Sequence, residues 1–189
     1  MSLGKKLPQR AGIYFCTFVC WDHLHLIARS DCYDAIYEKL LRWVDKGCAV
    51  CGYVIMPNHA HLLLYVPVSL SVNDVLANCK RWWAKVIIDR LTAAGDTFML
   101  HRLQRAVDTT HYAKGQWYRV WQPSSDIQFC ASEAMVVQKL NYIHQNPLQE
   151  HWRLVEVPQA YAHSGAAQAA TPCPSPLSIT TWGEVMRCG

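Results

Sequence analysis

No stretch of the 189 residues approaches the ~20 consecutive apolar residues needed to span a bilayer, so a membrane-spanning reading is set aside. Met1 to Arg10 is polar and basic and lacks the apolar run of a secretory signal, which leads to the expectation of a reducing, cytoplasmic setting. Its nine cysteines are then expected as free thiols. Cys48-x-x-Cys51 has zinc-ligand spacing, but no second such pair completes a four-ligand set, and Cys16 and Cys20 fall in an apolar strand where buried thiols are the ordinary explanation. Charge is also scarce. A net charge of +4 permits a polyanionic partner without demanding one. There are no internal repeats, and with 51% apolar residues the chain is long enough for one domain with a proper core.

What is present centres on Gly52 to Val66, GYVIMPNHAHLLLYV. Two β-type segments, Tyr53 to Met56 and Leu62 to Val66, flank the turn formers Pro57 and Asn58, so the run reads as a hairpin. Because side chains alternate along a strand, His59 and His61 project from one face while Ala60 points into the protein. Two imidazoles side by side are either packing residues over a sheet face or a pair of nitrogen ligands for one divalent metal.

The rest of the chain supplies a frame for this hairpin. Ile13 to Cys20 reads as a buried central strand. Asp22, His23 and His25 follow in a turn, and Asp31 is the expected cap of a helix running to about Lys46 and stopped by Gly47. Ser71-x-x-Asp74 opens a second helix, with Lys80, Arg81 and Lys85 expected on a basic face suited to DNA. Trp82 and Trp83 cannot share a face, so one is core and the other lies against a base or a basic neighbour. Ala93 to Gly115 lacks a clear period and carries Arg102 and Arg105, read either as a phosphate grip or as a solvated face. Trp117 to Trp121 alternates as a last strand, and Ser132 starts a third helix ending at Asn146-Pro147. Strand, helix, hairpin, helix and strand predict an α+β fold, a ferredoxin-like antiparallel sheet with helices packed mainly on one face. The expected division is residues 1–11 as an N-terminal extension, 12–164 as the functional domain and 165–189 as a loose tail rich in Ala, Ser and Pro.

Two phrases, VIMPNHAHLLL around the histidine pair and KLNYIHQNP from Lys139 to Pro147, resemble in that order the HUH single-tyrosine transposases related to insertion sequence 200. The resemblance is to the branch of REP-associated tyrosine transposases, and it covers roughly Gly12 to Ser164. It implies a metal-dependent endonuclease and strand transferase acting on single-stranded, hairpin-bearing DNA. His59, His61 and a third polar ligand would hold Mg²⁺ or Mn²⁺, and a tyrosine would attack the phosphodiester. A homodimer is a further implication. In the family the tyrosine follows a Trp-Gln pair by a few residues. Here Trp121-Gln122 is followed by Pro123-Ser124-Ser125-Asp126 instead. Two substitutes stand in the sequence: Tyr142, one helical turn after Gln138, a carboxamide candidate for the metal, and Tyr118 in the expected last strand. Each also reads as a packing residue. Asn146 is read as a helix stop and Asn58 as a turn former. The alternative function is a hairpin-DNA-binding protein that keeps the metal site without a working nucleophile.

Overall fold

The computed structural model describes residues 7–123, 126–170 and 177–188. Met1 to Lys6 of the expected extension, Ser124 and Ser125, and residues 171–176 of the expected tail lie outside the described residues. Strands β1 (Gly12–Val19), β2 (Ala49–Ile55), β3 (His59–Val66) and β4 (Ile127–Cys130) form one sheet in the order β2-β3-β1-β4. Each neighbouring pair is antiparallel. The helices are α1 (Leu26–Arg29), α2 (Tyr33–Val44), α3 (Val72–Ala93), α4 (Thr97–Arg105), α5 (Thr109–Tyr112), α6 (Glu133–Gln145), α7 (Gly165–Ala170) and α8 (Trp182–Cys188). This is the α+β, ferredoxin-like arrangement that the element order predicts.

The alternation of β1 and β3 separates two cores. Tyr14, Cys16 and Phe18 of β1, with Ala60, Leu62, Leu64 and Val66 of β3, enter the larger core beneath α2 and α3, where Leu40, Leu76 and Trp83 meet them. Each such large side chain, fully buried, contributes about 1.5–3 kcal/mol. Ile13, Phe15 and Leu63 face the other way, against Val136 and Ile143 of α6. Gly52 sits at a bulge in β2, and a Cβ there would meet the Leu140 side chain at 2.5 Å, so the missing side chain lets α6 lie close to the sheet.

The helix starts follow the caps. Ser71 accepts a hydrogen bond from the Asp74 amide and Ser132 from the Met135 amide, as the two Ser-initiated helices require. Gly47, at φ +90°, ends α2. Asp31 does not cap that helix. It takes a left-handed φ of 48°, and Cys32 stands at the cap position with no side-chain hydrogen bond.

Three further expectations are corrected. Trp117 to Trp121 is not a strand: Trp121 makes a single bridge to Cys20, its indole donates to the Lys80 carbonyl on α3, and the edge beside β1 is taken by β4. Ala93 to Gly115 is not irregular, because Asp96 and Asp108 cap α4 and α5. The described part of the tail is not loose. Ala166, Ala167, Leu177 and Val185 are buried, and the Thr180 amide donates to the Val50 carbonyl of β2 at 2.8 Å. The CxxC pair is divided by the sheet, Cys48 in the larger core and Cys51 in the smaller, so the two thiols cannot share an ion. Burial raises both, Cys48 to about 11 and Cys51 to about 12, which keeps them protonated.

Candidate functional site

At the start of β3 the odd positions emerge on the α6 side of the sheet. His59 and His61 lie with ring centroids 4.8 Å apart, and Ala60 is buried on the opposite face. His61 pairs with Thr17 across the β1 ladder, its Nδ1 3.0 Å from the hydroxyl, and stacks on Phe15 at 5.4 Å and 17°. His59 Nδ1 is 2.5 Å from Asn58 Oδ1, and its Nε2 is 3.0 Å from Oδ1 of the buried Asn146. Asn58 is itself fixed, since its amide nitrogen donates to the His23 carbonyl at 3.0 Å.

Both imidazoles are held neutral. Burial lowers His59 to about 4, partly opposed by the Asn146 carboxamide oxygen, which favours the protonated ring, while His23 and His151 lower it further. Burial lowers His61 to about 3, with His59 and Lys139 adding repulsion. Neutral rings keep a lone pair at pH 7, which is the form that binds metal.

The pair opens into a cleft of about 810 Å³ whose walls include His23, His25, His151, Trp152 and Tyr142. Among the described residues that line it, none is Asp, Glu, Lys or Arg. The wall is shaped by unusual backbone, because Asp22 and His23 both take left-handed φ values, 52° and 51°, and Arg102 holds Asp22 in an ion pair at 2.5 Å.

The residues singled out from the sequence divide sharply. Tyr142 is 45% exposed, stands edge-on to His61 at 5.1 Å and lines the cleft. Tyr118 packs against the larger core and does not line it. Gln138 is exposed beside a smaller cavity of about 370 Å³ that His61 and Tyr142 also line, and it bonds to neither histidine. The carboxamide that reaches the pair is Asn146, one turn after Tyr142 instead of one turn before it. The Asn-Pro stop signal concealed it, although the i,i+4 spacing from Tyr142 was there to be read. Among described residues no group of three His, Cys, Asp or Glu could hold a metal, so a third protein donor would have to be an amide or hydroxyl oxygen.

The five basic residues differ in placement, and Lys80 does not lie on the exposed face expected for it. Lys80 is 2% exposed, donates to the Gln122 carbonyl at 3.2 Å and is pushed down to about 8 by burial, so it offers no charge at the surface. Lys85 pairs with Asp89 and Arg102 with Asp22. Arg81 and Arg105 are exposed without an ion pair among the described residues. All five belong to α3 and α4, which pack with the larger core, and none lines the cleft. Trp83 is the buried member of its pair, and Trp82 lies under the cations of Arg42 and Lys39 at 5.3 and 5.5 Å.

Neither a protein-family model nor a curated protein matches the chain. Solved structures do. A REP-associated tyrosine transposase bound to a REP hairpin matches with a TM-score of 0.57 and 17% identity, over 97% of this chain and 96% of that one. The fold is that of a REP-associated tyrosine transposase. A candidate transposase from Deinococcus radiodurans gives 0.42 at 18% identity, over 77% of this chain and 97% of that one. At 17% identity the likeness to the REP-associated transposase is one of backbone architecture, and the chemistry has to be argued from the cleft.

Proposed function

We propose that this chain is a transposase-like protein of the REP-associated kind, which takes single-stranded, hairpin-bearing DNA into the histidine cleft and cleaves it with Tyr142. His59, His61 and Asn146 would hold Mg²⁺ or Mn²⁺.

The observation that carries the metal site is the hydrogen count at His59. A neutral imidazole has one proton, yet its two nitrogens face two carboxamide oxygens, Asn58 Oδ1 and Asn146 Oδ1. Asn58 is oriented by its own bond to the His23 carbonyl, so the proton belongs on Nδ1 and the Nε2 lone pair faces the second oxygen. Two acceptors 3.0 Å apart repel unless the Asn146 amide turns over or a cation lies between them. The spacing suits the cation, because neighbouring ligands of an octahedral Mg²⁺ at about 2.1 Å stand about 3.0 Å apart. The Asn58 and Thr17 oxygens would then fix both rings from behind, as outer partners of metal-bound histidines do.

Tyr142 supplies the nucleophile in this reading. Its oxygen forms a bond to phosphorus while the bond to the 3′ oxygen breaks, leaving a phosphotyrosine and a 3′-hydroxyl, the phenolic proton passing to solvent and the leaving oxygen taking one up. Phe15 and His61 meet its ring edge-on and hold it at the cleft. A bound cation would polarise the phosphodiester and offset the charge gathering on its oxygens.

Labelled hairpin oligonucleotides incubated with Mn²⁺ test this on a denaturing gel. A covalent protein–DNA band is expected from the wild type and from Tyr118→Phe, and none from Tyr142→Phe or His59→Ala. An adduct that survives Tyr142→Phe would overturn the assignment. The absence of a tyrosine after Trp121-Gln122 favours a second reading, a hairpin binder without cleavage. Salt-sensitive retention of the hairpin with no adduct from any variant selects it.

A further inference from the structure

Trp152 stands in the cleft among three imidazoles, with centroids 5.4 Å from His25, 5.7 Å from His151 and 5.9 Å from His59. None of the three covers it face to face, since the interplanar angles are 36°, 49° and 47°. It differs from the tryptophans recruited for packing. Trp83 is fully buried, and the indole nitrogens of Trp43, Trp82 and Trp83 are shielded. Trp152 is half-buried, resting against the smaller core and bordering the cleft. Its position is set by a tight turn following Asn146: its amide donates to the Gln149 carbonyl at 2.8 Å, and the Leu154 amide reaches back to the Pro147 carbonyl at 3.0 Å.

Among the described residues that line this cleft none is charged, and Lys139 lines the smaller cavity that shares His61, so contacts to a base inside this cleft come from amides, imidazoles and this indole. Its volume of about 810 Å³ is that of a small-molecule site and leaves room for a nucleotide. Bases in a duplex have both faces covered, whereas an unpaired base can lay one face on an aromatic ring.

We propose that Trp152 is the stacking platform for the base of an unpaired nucleotide flanking the phosphodiester held at His59 and Asn146. The proposal rests on the DNA reading above and names the part of the substrate that the cleft recognises. Stacking on an indole tolerates any base, so the site selects for being unpaired more than for identity.

The test is a binding titration with a labelled DNA hairpin carrying unpaired arms on both sides, in which each arm nucleotide is replaced in turn by an abasic one. With wild-type protein one abasic position is expected to weaken binding about tenfold, the scale of one lost base–aromatic stack. Trp152→Phe keeps that sensitivity. Trp152→Ala binds the intact and abasic hairpins equally, about tenfold more weakly than wild type, while its melting temperature and Mn²⁺ affinity report that the fold and the histidine pair persist. Wild-type binding that is indifferent to every abasic position, or sensitivity that survives Trp152→Ala, overturns the platform and leaves the DNA reading standing. No hairpin binding by the wild type overturns both.

Discussion

The two faces of the sheet are built from the same strands and are opposite in character. Beneath α2 and α3 the side chains of β3 form a sealed sequence of Ala60, Leu62, Leu64 and Val66, closed by Phe18, Trp83 and Trp121. On the α6 side the same strand begins with two histidines and becomes apolar only at Leu63, so packing stops where the cleft begins. The sealed side and the cleft side therefore alternate along one strand. Substitutions on the sealed face should register in folding alone, and those at the cleft in both folding and ligand binding.

The strongest way to break that contrast is to cut into the sealed face. Trp83→Ala removes a fully buried ring 4.9 Å from Phe18 and is expected to cost about 3–5 kcal/mol in urea unfolding, with Mn²⁺ affinity unchanged in the fraction still folded. Acid should attack the other face. His59 and His61 are neutral when folded and bind protons more readily when unfolded, so their contribution is complete above about pH 6.5. It is lost as pH falls through about 4 for His59 and about 3 for His61. The loss is on the order of 3 kcal/mol for His59 alone, measured as urea midpoint against pH, and His59→Gln should flatten that part of the curve. A smaller effect sharpens the metal assignment. Asn58→Ala removes the acceptor behind His59 and is expected to cost about 1–3 kcal/mol and to weaken Mn²⁺ binding about 10- to 100-fold by calorimetry. Smallest of all, Lys80→Met replaces a buried ammonium that has one carbonyl partner, and should shift stability by less than about 1 kcal/mol without lowering hairpin affinity.

Much of this division was legible in the residues. The two-residue period of HAHLLLYV places both histidines on one face, and Ser71 and Ser132 mark helix starts that the structure keeps. What could not be read arose where tertiary contacts overrode local pattern. Trp117 to Trp121 alternates like a strand, but the Trp121 indole is drawn to the Lys80 carbonyl, while the real edge strand, Ile127–Cys130, is too short to announce itself. Lys80 looked like a surface cation because its neighbours are charged, yet a 22-residue helix turns it under the Gln122 carbonyl. Asn146 was concealed by its own usefulness as a stop signal, since nothing local says that its carboxamide crosses to His59. The tail gave a compositional warning against a core, yet its alanines are buried where α7 packs on β2.

β3 is hydrogen-bonded on both sides, to β1 from Gly12↔Val66 to Val19↔His59 and to β2 from Ala49↔Tyr65 to Ile55↔Ala60. Slipping it by a single residue would swing both imidazoles into oil and carry Ala60 and Leu62 out toward water, and two ladders would have to break together to allow it. The two imidazoles therefore cannot be loosened by degrees. Loops elsewhere can be reshaped, but this chain surrenders its paired rings only by exchanging them outright or by giving up the sheet.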